Sequence, residues 1–114
     1  RNLFSGTNKV KLLCDYGWYK DNCNEPQPVG KLKPNTLGLF DMSGNVSEWC
    51  SDWYGEYPSE PQHYPLGPDT GEYRILRGGT WEDYDFRLGV ATRKYYTPDF
   101  HGPDIGFRLC RYLE

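Results

Sequence analysis

Leu37-Gly38-Leu39-Phe40-Asp41-Met42-Ser43-Gly44-Asn45-Val46-Ser47-Glu48-Trp49-Cys50 packs two kinds of residue into one short stretch. Leu37, Leu39, Phe40, Val46 and Trp49 are core-type, whereas Asp41, Ser43, Asn45 and Glu48 carry oxygen. The small turn Ser43-Gly44-Asn45 separates the two carboxylates, so Asp41 and Glu48 can converge on one point with backbone carbonyls between them. A hard cation such as calcium takes that kind of oxygen cage. The same residues admit a plainer reading, in which Asp41 closes a turn and Glu48 pairs with an arginine. A short acidic motif alone does not choose between the two.

Working outward, 46–53 reads as a strand, with Val46, Glu48 and Cys50 on one face. Residues 73–77 read as a second strand entering the Gly78-Gly79 break. Residues 86–93 alternate Phe86, Leu88 and Val90 against Arg87, Gly89 and Ala91 and read as a third, and 105–112 as a closing strand. Tyr16-Gly17-Trp18-Tyr19 fits a short strand or a turn. The segments 56–72, with four prolines, and 97–104 read as loops. Nine Pro and thirteen Gly interrupt the chain too often for long helices. The pattern is a small α+β domain, mostly irregular and β.

With 114 residues the chain forms one domain, 1–114, with room for one modest core. Only 37% of residues are hydrophobic while 17% are aromatic, which predicts a core built largely from rings. A net charge of −3 gives no electrostatic case for nucleic acid or an anionic membrane surface. No apolar run is long enough to span a bilayer. The chain begins at Arg1 and shows no signal peptide, which reads as a processed or excised segment.

Cys14, Cys23, Cys50 and Cys110 allow three fully paired connectivities, and the sequence does not select one. The even count leans towards an extracytoplasmic protein, while four partly buried thiols account for it as well. No Cys-x-x-Cys spacing occurs and His63 and His101 lie far apart, against a zinc site. The five arginines 74, 77, 87, 93 and 108 read as structural, bonding carboxylates and carbonyls in a loop-rich interior.

Asn35-x-Leu37-Gly38-Leu39-Phe40-Asp41-Met42-x-Gly44-Asn45-Val46-x-Glu48-Trp49 resembles the signature of the formylglycine-generating enzymes, or sulfatase-modifying-factor family. The resemblance continues, in order, through Asp52-Trp53-Tyr54, Gly67-Pro68, Gly71, Arg74-x-Leu76-Arg77-Gly78-Gly79-Thr80-Trp81, Arg87, Arg93 and Gly106-Phe107-Arg108-Leu109. It implies an elaborated C-type-lectin-like fold, of which this chain is the C-terminal part. It also implies structural calcium on the Asp41 side chain, the Gly44 and Val46 carbonyls and the Glu48 side chain. A second calcium would lie on Asn2, the Leu3 carbonyl, Asp21 and the Cys23 carbonyl, where an insertion departs from the family spacing.

The resemblance fails at one place that matters. The family binds copper through two cysteines shortly after the Gly-Gly-Ser/Thr-aromatic motif, because soft thiolates select Cu(I). Here no cysteine lies between Ser51 and Leu109, and the matching segment offers Glu82, Asp83 and Asp85. No copper is expected, and catalysis is not carried over. What remains is an acidic-aromatic surface: Trp81, Asp83, Tyr84 and Asp85, with Tyr95, Tyr96 and Phe100 from the next segment, the two that flank the substrate cleft in the family. Rigid rings with polar tips make good recognition surfaces; Trp81 fits a core position equally well. The triplets Glu60-Pro61-Gln62 and Trp81-Glu82-Asp83 are faintly similar to sugar-reading motifs of calcium-dependent lectins, but Glu25-Pro26-Gln27 shows how readily such triplets arise.

The function expected is a non-catalytic module or accessory subunit. It would bind a small ligand, another protein chain or the missing N-terminal half of its own domain. The alternative is part of a family oxidoreductase, formylglycine-generating or sulfoxide-synthase-like, whose metal ligands lie on a missing segment or a partner chain.

Overall fold

Four short strands make one sheet in a computed structural model that describes residues 2–55 and 68–110. The strands are β1 (Ser47–Trp53), β2 (Arg74–Arg77), β3 (Arg93–Tyr96) and β4 (Ile105–Gly106), in the order β3-β2-β1-β4. β2 runs antiparallel to both β1 and β3, and β4 runs parallel to β1 with Ser47 opposite Ile105. A bulge interrupts the β1–β2 ladder between Trp49 and Trp53. The helical content among the described residues is two 3-10 segments, Val10–Asp15 and Asp85–Arg87. No helix among them is long and apolar enough to cross a membrane.

The strands expected over 46–53 and 73–77 are present. The one expected over 86–93 is not. Asp85 turns its carboxylate back onto the Phe86 N–H, and Arg87 and Leu88 bond back to Tyr84 and Asp85, winding the chain into a turn. Leu88 is therefore buried while Phe86 and Val90 are exposed, so the apparent alternation does not share a face. The real strand starts at Arg93. The closing strand is also shorter than expected, because pairing with β1 ends at Gly106. Residues 111–112 of that expectation, and 56–67 of the proline-rich loop, lie outside the described residues. Tyr16–Tyr19 is a turn followed by irregular backbone.

The core is less aromatic than composition suggests. Among the described residues the buried apolar side chains are Phe4, Leu13, Tyr19, Ile75, Leu76 and Leu88. Leu37, Leu39 and Phe40, taken as core-type, are exposed, Leu37 to 81%. The cause is Asn35, whose side-chain oxygen accepts the N–H groups of Leu37 and Leu39 and holds this apolar segment as a surface turn. Arginine placement follows expectation: Arg77 donates to the Val90 and Thr92 carbonyls, Arg93 to Gly55 and Arg74 to Ser51. All four cysteines are free thiols. Burial pushes the Cys23 and Cys50 thiols above their ordinary pKa, the nearby Arg77 partly opposing this at Cys50.

Candidate functional site

The turn leading into β1 is a knot of buried polar groups. Ser43, Asn45, Ser47 and Thr80 are each under 5% exposed. The Ser43 hydroxyl accepts the Ser5 N–H and donates to the Leu88 carbonyl. The Ser47 hydroxyl donates to the Gly79 carbonyl. Asn45 makes a two-way bond with Gln27, its amide oxygen accepting the backbone N–H at 3.0 Å and its NH2 donating to the carbonyl at 2.9 Å. Gly44 donates to Gly78, Asn45 to the Trp18 carbonyl, and Trp81 to the Asn45 carbonyl. This geometry needs left-handed backbone at Asp41, Gly44 and Asn45 (φ 55°, 84° and 64°), which favours Gly and Asn.

Asp41, Val46 and Glu48 line one concavity of about 450 Å³, with Phe40, Phe107 and Arg108 on its walls. Gly44 does not line it and packs instead on the Trp18 backbone. Asp41 is 6% exposed; one carboxylate oxygen accepts the Gly30 N–H at 2.8 Å, and the other is buried without a hydrogen-bond partner. A buried anionic oxygen with an unfilled partner suits a cation. Glu48 is differently placed. Arg108 grips both its oxygens, Nε and an NH2 group each at 2.9 Å, and the same NH2 reaches the Asp41 carbonyl at 3.2 Å. The hydrogen bond to Glu48 holds the Arg108 guanidinium above its already high pKa. Among the described residues no three His, Cys, Asp or Glu side chains converge on a metal-sized point. A cage of two carboxylates and two carbonyls does not require that: Asp41 keeps one oxygen without a partner, as a cation ligand would, whereas both oxygens of Glu48 are taken by Arg108.

Of the second expected cation set, Asn2 and Leu3 line a concavity with Asn8, Phe86 and residues 89–92, and the Leu3 carbonyl accepts the Val90 N–H. The Cys23 thiol lies on the Tyr19 carbonyl and towards that of Trp81, and Asp21 is exposed.

The acidic-aromatic residues do not form one surface. Asp83 accepts the Thr80 N–H at 3.0 Å and pairs with Lys94 at 2.9 Å, so its carboxylate fastens the turn after β2. Asp85 accepts the N–H of its neighbour Phe86 at 2.9 Å, and the half-buried Trp81 reaches the Pro103 carbonyl. Tyr84 and Phe86, 53% and 70% exposed, are nearly parallel with centroids 6.4 Å apart, and Lys20 lies over Tyr84. Tyr95 and Tyr96 are neighbours on β3, so strand alternation sends them to opposite faces of the sheet. Tyr95 stacks on Tyr54 at 3.9 Å, and Tyr96 on Phe100 at 4.3 Å. The pairing of Glu48 with an arginine, the plainer of the two readings of the sequence, is the arrangement observed; which arginine it is follows from the parallel β1–β4 register, which brings Arg108 to Glu48.

The family model described as "Sulfatase-modifying factor enzyme 1-like domain" matches residues 2–113. The chain is 44% identical over 88 residues to a formylglycine-generating enzyme of Streptomyces coelicolor, covering 73% of this chain and 28% of that protein. It is 40% identical over 114 residues to serine/threonine-protein kinase pkn1 of Chlamydia caviae, covering 93% of this chain and 18% of that one. Among solved structures it is similar to Treponema denticola variable protein 1, at TM-score 0.87 and 39% identity over 94% of this chain and 40% of the other. The chain thus spans well under half the length of each.

Proposed function

Because the chain belongs to the sulfatase-modifying factor enzyme 1-like domain family, with its mostly strand-and-loop fold, we propose that it is a non-catalytic member. In this reading it docks onto a partner chain or onto further parts of its own polypeptide, or takes a small ligand. The observation that carries the docking role is exposure: Val29, Leu37, Phe86, Phe107 and Leu109 are each at least 70% exposed, while six apolar side chains are buried among the described residues. Val29 and Phe107 share the wall of one concavity with Leu39 and Phe40, and apolar surface gathered in that way is stabilised when something covers it. Similarity to a protein called a kinase, as well as to a formylglycine-generating enzyme, suits a module that serves several hosts.

The non-catalytic half rests on chemistry. Copper-dependent oxidation in the family needs two thiolates where this chain has Glu82, Asp83 and Asp85, and Asp83 is held by Thr80 and Lys94. The 44% identity to a formylglycine-generating enzyme favours a second reading, an oxidoreductase part completed by metal ligands elsewhere. One assay separates the two: incubation with copper, oxygen and a cysteine-containing sulfatase peptide, read by mass spectrometry. Unchanged peptide is expected, and aldehyde formation refutes the proposal.

The proposal includes structural calcium on Asp41, the Gly44 and Val46 carbonyls and Glu48, where it would tie the 40–49 turn to β1. It extends to a second ion on Asn2, Leu3, Asp21 and Cys23, distinguished by a stoichiometry of two rather than one in calcium titration.

A further inference from the structure

The Asp41–Glu48 turn holds two carboxylates and one guanidinium. Arg108 occupies both oxygens of Glu48 and also donates to the carbonyl of Asp41. Its charge is permanent, because guanidinium does not deprotonate in proteins. A second cation entering beside it meets like-charge repulsion and finds Glu48 already engaged. The Asp41 oxygen without a partner stays available to a cation, yet calcium takes six to eight oxygens, and without Glu48 the turn offers one carboxylate and a few carbonyls, leaving the remainder to water and the binding weak. Arg108 has somewhere to go: it follows β4, in backbone not paired in the sheet, between the exposed Phe107 and Leu109.

We propose that Arg108 is the turn's built-in counter-cation, and that a divalent cation binds there only in competition with it. Arg108 and calcium are then alternative fasteners of the same turn. The first ties the segment after β4 to β1 through Glu48, and the second releases that 107–110 segment. Cation binding would thereby be coupled to the exposure of Phe107 and Leu109. The inference rests on the calcium reading of this turn given above.

The test is calcium titration by calorimetry into the whole chain as wild type, Arg108→Gln and Arg108→Lys. Affinity should rise about tenfold or more in Arg108→Gln, where the repelling charge is gone. Arg108→Lys, which keeps the charge but loses the two-pronged grip, should fall between. In wild type, the Arg108 Nε–H resonance should lose its protection from solvent exchange as calcium is added. Wild type binding calcium as tightly as folded Arg108→Gln, with that resonance unmoved, overturns the competition and leaves the calcium reading standing. Calcium binding to no variant overturns both. If Arg108→Gln does not fold, Arg108→Lys and the wild-type resonance decide alone.

Discussion

Two regions of this chain draw on the same residue types and use them in opposite ways. The turn from Asp41 to Ser47, closed by Gly78 to Thr80, places acids, amides and hydroxyls inside. Nearly every polar group there bonds to a distant part of the chain: Ser5, Trp18, Gln27, Gly78 or Leu88. The segment from Trp81 to Phe100 also carries acids, but places its rings outside. Asp83 and Asp85 are engaged within the segment, while the rings pair off, Tyr84 with Phe86 and Tyr96 with Phe100. A buried polar group left unpaired is costly, so the first region is constrained by its own interior. Exposed rings carry no such constraint, so the second can change with what it meets.

The largest test of that contrast is Gly44→Ala. A Cβ at Gly44 would overlap the Trp18 carbonyl, and φ of +84° is strained for any side chain. Backbone strain and overpacking together should cost about 3 kcal/mol or more. Urea unfolding should show a large drop in midpoint. A loss below about 1 kcal/mol would mean that the knot yields and the contrast is false.

Asn45→Ala comes next. It deletes the two-way bond to Gln27 and puts a less tolerant residue at φ 64°. Gln27 is only half-buried, so water can recover part of the loss. About 2 kcal/mol is expected, with increased amide exchange at Gln27 as the local signature. A stability loss without that signature would place the role of Asn45 in its backbone alone.

The sequence made the first region more legible than the second, and the reason is physical. Gly44, Asn45, Gly78 and Gly79 are there because the backbone demands them, and such demands appear directly in residue type. β1 and β2 were visible because each buries part of its length. The failures lie where side-chain direction depends on distant neighbours. Phe86, Leu88 and Val90 look like a strand face until Asp85 winds the chain. Leu37 and Leu39 look like core until Asn35 pins them outside. Glu48 meets Arg108 across 60 residues of sequence. The resemblance supplied the proposed cation ligands, whereas the Arg108 partner of one of them, Glu48, appears only when β4 lies beside β1.

The smallest expected effect is the most informative about function. Phe86 is 70% exposed and Tyr84 53%, and their ring centroids are 6.4 Å apart. Neither belongs to the cluster of Phe4, Leu13, Tyr19 and Leu88. Phe86→Ala should therefore change stability by no more than about 0.5 kcal/mol, as surface substitutions do. Tyr84→Ala should do the same, since beyond Phe86 its ring meets only the Lys20 ammonium among the ring and cation partners described above. If these rings serve as anchors for a partner, the same substitutions should weaken its binding by about 2 kcal/mol. Unfolding midpoints and titration of the wild-type partner measure the two quantities separately. A stability loss near that of Asn45→Ala would make the rings part of the fold and erase the difference between the two regions. Unchanged stability with weakened binding would show that the second region keeps for a partner what the first uses on itself.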